Sequence, residues 1–133
     1  MIVADTSAII AIIFAEHERE VFLRVIQSAP RVLISTVSVV EARMVVHGRR
    51  GARAVVLVDD MLRLSMFEMM PPGAAEMEAV YAAFVAFGKR SGHPAALNFG
   101  DVFSYALAKV RGLPLLFKGV DFSETDIASA VLR

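Results

Sequence analysis

A three-layer α/β/α fold with a central parallel sheet is the class this sequence predicts, and three observations predict it. Short apolar runs, MIVA, RVLIS, LPLLF and, with Glu68 inside it, MFEMM, alternate with longer stretches in which apolar residues recur every three or four positions. Strands that are apolar throughout are buried on both faces, as a parallel sheet covered by helices requires. The 133 residues, 56% of them hydrophobic, suffice for one core, and no linker, repeat or low-complexity tract divides them, so residues 1–133 are expected to form a single domain.

Met1–Ala4 reads as the first strand, followed at once by Asp5 and a helix from about Thr6 to Ala15. Val21, Phe22, Val25, Ile26 and Ala29 form the inner face of the next helix, which Pro30 stops because it lacks an N–H. The RVLIS strand leads into a helix over TVSVVEARMVVH ending near Gly48, and RRGARAVVLVDDMLRLS predicts a further helix. Within the first of these, Ser38-Val39-Val40-Glu41 matches a capping box, in which the glutamate bonds back to the cap amide. MFEMM is a third strand, broken by Pro71-Pro72-Gly73. Met77, Val80, Tyr81, Phe84 and Val85 then mark a helix from Glu76 to Phe87. SGHPAALNFG is a loop, and Val102, Phe103, Ala106, Leu107 and Val110 are the buried stripe of the helix after it. Gly112 and Pro114 precede the LPLLF strand, KGVDF is a turn, and DIASAVLR is expected to hold one more short strand.

Fourteen basic and fourteen acidic residues give a formal net charge of zero, so bulk charge lends no support to nucleic-acid binding. Local clusters remain: Arg43, Arg49, Arg50 and Arg53, and the pair Lys89-Arg90. Cysteine is absent, which excludes disulfides and thiolate metal sites and suits a cytosolic protein. The longest apolar stretch, Ala8–Ala15, is too short to span a bilayer, and the N-terminus has no basic leader. A soluble cytoplasmic protein is expected, its surplus apolar surface left for a subunit or partner interface.

In open parallel sheets function collects beyond the carboxyl ends of the strands. Four acids belong there: Asp5 directly after the first strand, Glu41 early in the helix after RVLIS, Asp101 at a helix start and Asp121 just past LPLLF. Each has an ordinary reading alone. Asp5 and Asp101 can cap helices and Asp121 can serve a turn, whereas Glu41 shares a helical face with Val37, Met44 and Val45, where an unpaired carboxylate is costly. Caps do not require four acids to converge. Carboxylates gathered in one place repel unless a cation compensates, and oxygen-only donors select a hard ion, Mg²⁺ or Mn²⁺. Such a site serves phosphoryl transfer best. Asp59 and Asp60 read as solvent-facing, the role of Asp126 stays open, and His17, His47 and His93 have no partner at ligand spacing.

The segments VADTSAIIAI, STVSVVEA, LNFGDVFSYALAK and LLFKGVDFSETDI resemble, in order and spacing, the signature segments of PIN-domain ribonucleases, and more narrowly of the VapC toxins of type II toxin–antitoxin systems. The resemblance covers nearly the whole chain. It implies a PIN-like α/β/α fold and a Mg²⁺-dependent endoribonuclease in which Asp5, Glu41, Asp101 and Asp121 form the acidic quartet, with Asp5 and Asp101 the usual direct ligands. It also implies that Thr6 or Ser7 helps to orient a ligand or water. A homodimer, a VapB-like antitoxin lying across the groove and a tRNA or ribosomal RNA substrate are likewise implied. Arg43, Arg49, Arg50, Lys89 and Lys118 are the candidates for phosphate contact. Many relatives carry a polar residue where this chain has Val120, which removes a contact near Asp121. Two rival readings stand beside it. A haloacid-dehalogenase-type phosphatase needs a second aspartate where Ser7 stands, and a receiver domain needs an acidic pair near the first strand. The other rival is a catalytically inactive PIN fold acting as an interaction module.

Overall fold

The computed structural model describes residues 1–131. Its four strands are β1 (Ile2–Ala4), β2 (Val32–Ser35), β3 (Phe67–Met70) and β4 (Leu115–Leu116), in the order β3-β2-β1-β4, all parallel. Their side chains alternate between two cores with the period of two that a pleated strand imposes. Ile2, Ala4, Val32, Ile34 and Leu116 face one core, and Val3, Leu33 and Leu115 face the other. The first core is closed by α1 (Thr6–Ile13), α2 (Arg19–Ser28), α3 (Thr36–Arg50) and α4 (Val56–Leu62), the second by α5 (Ala74–Phe87) and α6 (Phe99–Arg111). The predicted three-layer α/β/α class with its parallel sheet is therefore present. Each fully buried Leu, Ile or Phe side chain in these layers contributes roughly 1.5–3 kcal/mol.

Most predicted elements form where expected, and the departures have local causes. Ala29 is extended (φ −84°, ψ 130°) because Pro30 crowds a helical conformation at the residue before it, so α2 stops at Ser28. Helix α3 runs through Gly48 to Arg50 and ends at Gly51, whose φ of +87° suits glycine. Its N-cap is Ser35, which accepts from the Val37 amide at 3.2 Å, so the capping box predicted at Ser38–Glu41 is absent. Ser38 lies inside the helix and is fully buried. The segment after it is not one helix. A 3-10 turn over Ala52–Val55 precedes the short α4.

The loop before α6 is tied by a parallel bridge between Gly88 and Leu97. A capping box does exist at α6: Asn98 Oδ1 accepts from the Asp101 amide at 2.8 Å, and Asp101 Oδ2 accepts from the Asn98 amide at 3.0 Å. The LPLLF run yields only the two residues of β4, and Asp121–Glu124 form a 3-10 turn. In place of the last predicted strand a single bridge joins Leu115 to Ser129, while Leu132 and Arg133 of that segment lie outside the described residues. Among the described residues no helix is long and apolar enough to cross a membrane.

The strand order places the site. From β1 the chain moves to β2 and β3 on one side and later returns to β4 on the other, so the order reverses at β1. The crevice beyond the carboxyl end of β1 is where ligands bind in such sheets. Asp5 occupies that position.

Candidate active site

Asp5 sits between the last residue of β1 and the first of α1, with extended backbone (φ −86°, ψ 159°), and only 2% of its surface is exposed. A carboxylate buried to that degree needs donors. Three are present. Oδ2 accepts from the Ser7 amide at 3.0 Å and from Ser7 Oγ at 2.7 Å, and Oδ1 accepts from Ser104 Oγ. Asp5 is thus the N-cap of α1 as well as the innermost acid of a cleft.

That cleft has a volume of about 430 Å³ and brings together Asp5, Glu41 and Asp101 with Thr6, Ser7 and Asn98; Arg49 and Lys118 also line it. Glu41 arrives from the second turn of α3 and presses its carboxylate onto Gly100, in the first turn of α6, where any Cβ would collide with it. Of the apolar neighbours predicted for Glu41, Val45 does line the cleft, but Met44 turns out to be exposed. Asp101, half-buried, has its pKa pushed up from 3.8 to about 6. Burial is the largest cause, the Asn98 amide pulls the other way, and the charges of Asp5, Glu41 and Asp121 add to the rise. Asp121 is exposed in the turn after β4 and does not line the cleft, although its charge reaches Asp101.

The hydroxyls beside Asp5 are committed to the protein. Thr6 Oγ1 donates to the Ser38 carbonyl at 3.1 Å. Ser7 Oγ accepts from the Lys118 amide at 3.0 Å while donating to Asp5, so the segment after β4 is pinned to α1. The basic candidates divide. Arg49 lines the cleft and stacks over the Phe14 ring at 5.1 Å, and Arg50 stacks over the same ring at 4.9 Å. Lys118 lines the cleft and is paired with Glu16 and Glu18 at 3.2 and 3.5 Å, which raises its pKa. Arg43 is held by Asp59 at 2.8 Å outside the cleft, and Lys89 borders an apolar groove beside Tyr81 and Phe84. Asp126 does not join the acids. Lys109 at 2.7 Å and the Tyr105 hydroxyl hold it, and both lower its pKa.

The donor set in the cleft is carboxylate, hydroxyl and amide oxygen, without histidine or cysteine, and this chemistry fits a hard divalent cation. As the side chains stand, no three acidic or histidine groups among the described residues reach metal-ligand spacing. Hydrogen bonds fix Asp5 and Asp101, and among the described residues none holds the carboxylate of Glu41 or Asp121. Three contributors escaped the sequence reading: Gly100, Ser38 and Ser104. The signal for Ser104 was its place three residues after Asp101, on the same helical face.

An acid-lined cleft at the switch point of a four-stranded parallel sheet defines the class, and comparison with known proteins agrees. The PIN-domain family model matches residues 2–128. Ribonuclease VapC30 of Mycobacterium tuberculosis is 39% identical over 130 residues, covering 98% of each chain. Ribonuclease VapC42 of the same organism is 38% identical over 128 residues, covering 96% of this chain and 98% of its own. The chain belongs to the PIN-domain family, among its VapC ribonucleases. In fold it is similar to M. tuberculosis VapC20, described as a sarcin-ricin loop cleaving toxin, with a TM-score of 0.80 at 20% identity over 96% of this chain and 97% of that one.

Proposed function

We propose that this protein is a Mg²⁺-dependent endoribonuclease, the toxin of a type II toxin–antitoxin pair, acting on tRNA or ribosomal RNA in the cytoplasm. The observation that carries the reading is the convergence of Asp5, Glu41 and Asp101 on one cleft, where burial first, and then the charges of Asp5, Glu41 and Asp121, raise the Asp101 pKa. Mg²⁺, or Mn²⁺ in its place, would be held by Asp5 and Asp101 with Glu41 and Asp121 completing the set. When bound, it supplies charge neutralisation at the scissile phosphate and a more acidic water. Asp5, gripped by three donors, holds its carboxylate in one orientation. Asp101, ionised above about pH 6, gives the second fixed carboxylate. Arg49 and Lys118 stand at the rim to take phosphates flanking the cleaved bond. Water oxygen adds to phosphorus, the bond to O3′ breaks and O3′ takes up a proton, leaving a 5′-phosphate and a 3′-hydroxyl.

The partners follow from the same reading. Five large apolar side chains, Met77, Tyr81, Phe84, Val85 and Phe99, are at least half exposed along α5 and the start of α6, and such a patch suits a homodimer interface. A VapB-like antitoxin would cover the cleft. The test is incubation of purified protein with tRNA and with ribosomal RNA in Mg²⁺, with and without chelator, beside Asp5→Asn and Asp101→Asn. Cleavage lost in the chelator and in both variants is expected. Equal cleavage in all samples, or none in any, would overturn the reading and, in the second case, favour an inactive interaction module.

A further inference from the structure

Ser38 and Ser104 are both completely buried, and their hydroxyls stand 3.0 Å apart across the packing between α3 and α6. Ser104 is one of the three donors to Asp5, and Ser38 reaches the site only through it. The direction of their bonds is fixed by elimination. An ionised Asp5 can only accept, so Ser104 spends its one proton on Asp5 Oδ1. The bond between the serines must then run from Ser38 to Ser104. The result is a directed chain, Ser38 to Ser104 to Asp5, inside the protein.

Its position is what gives it consequence. Ser38 precedes Glu41 by three residues on α3, and Ser104 follows Asp101 by three residues on α6. Residues three apart share a helical face. One hydroxyl pair therefore ties, one turn below the acids, the two helices that carry Glu41 and Asp101, and it ends on the third acid. Thr6 adds a second tie, from the start of α1 to the Ser38 carbonyl. Resting on the metal-site reading given above, we propose that Ser104 is a positioning residue: it orients the Asp5 carboxylate and, through Ser38, sets the spacing of the three acids for a divalent cation. The group acts without touching ion or substrate. Outer groups of this kind typically change metal affinity by about 10–100-fold.

The experiment is calorimetric titration of the full chain with Mn²⁺ alone, in wild type, Ser104→Ala, Ser104→Thr and Ser38→Ala, with thermal melting in chelator for each. Ser104→Ala should melt as a folded protein yet bind Mn²⁺ about 10–100-fold more weakly. Ser38→Ala should lose several-fold, and Ser104→Thr, which keeps the hydroxyl, should recover most of the affinity. Unchanged Mn²⁺ affinity in Ser104→Ala, with the wild type binding, would overturn the positioning role alone. If Ser104→Ala does not fold, Ser38→Ala decides, and an unchanged affinity there would overturn it as well. A wild type that binds no Mn²⁺ would overturn the metal-site reading first, and the positioning role with it.

Discussion

At the residue scale the site is a balance between burial and charge, and Asp101 and Gly100 show it most directly. The folded protein holds the Asp101 proton up to about pH 6, whereas an unperturbed carboxyl releases it near 3.8. Between those values the native state binds more protons than the unfolded chain, so stability falls as pH rises through that window and the loss is complete above it. Asp101→Asn does not titrate, and its side-chain oxygen can still accept from the Asn98 amide. In chelator it should melt close to wild type at pH 4 and several degrees higher at pH 7.5, as followed by circular dichroism. Gly100 makes the opposite point. Alanine there would normally favour the helix by up to about 1 kcal/mol, but its Cβ would strike the Glu41 carboxylate. Gly100→Ala should retain its melting temperature to within a few degrees and lose about tenfold or more of RNA cleavage.

At the element scale the helix termini do two jobs at once. Asp5 caps α1 and Asp101 completes the capping box of α6, so the same carboxylates that line the cleft also satisfy free backbone amides. This is economical because the positive end of a helix stabilises an adjacent anion. Asn98 carries the reciprocal half of the α6 box, accepting from the Asp101 amide. Asn98→Ala should cost about 1 kcal/mol in urea denaturation with no change in the slope against denaturant. The C-terminal end of α6 closes on Gly112, whose φ of +64° places it in the left-handed region.

At the scale of the whole molecule, the apolar surface is unevenly spread. Tyr81 is 69% and Phe99 76% exposed, and with Met77 and Phe84 they border an apolar groove of about 540 Å³ on the outer side of the α5–α6 layer. If two copies meet there, Tyr81→Glu combined with Phe84→Glu should convert a dimer to a monomer in sedimentation velocity while each subunit keeps its helical spectrum. An unchanged sedimentation coefficient would place the dimer contact elsewhere.

Much of this was legible in the sequence because local rules decided it. Apolar runs announced the strands, with β3 alone left partly exposed, helical periodicity announced the layers, and the positions of Asp5, Glu41 and Asp101 announced a shared cleft that Asp121 does not line. Where competing local signals existed, the tertiary structure chose between them. Ser38–Glu41 matches a capping box, yet Ser35 begins the helix because β2 ends there. Arg43 and Arg49 were equivalent on paper, but α3 turns one toward Asp59 and the other into the cleft. The hydroxyl chain from Ser38 through Ser104 to Asp5 joins residues 66 and 99 positions apart, and no local pattern encodes such a distance. The sequence by itself determined the strands, the helices and the approach of Asp5, Glu41 and Asp101 to one end of the sheet, since these follow from hydrophobicity and periodicity. It did not determine burial, for Val21, Tyr81, Phe84 and Val110 lie on predicted apolar stripes and are exposed. Only the tertiary structure decided which groups hold those acids in place, because hydrogen bonds between distant segments form only once the layers have packed.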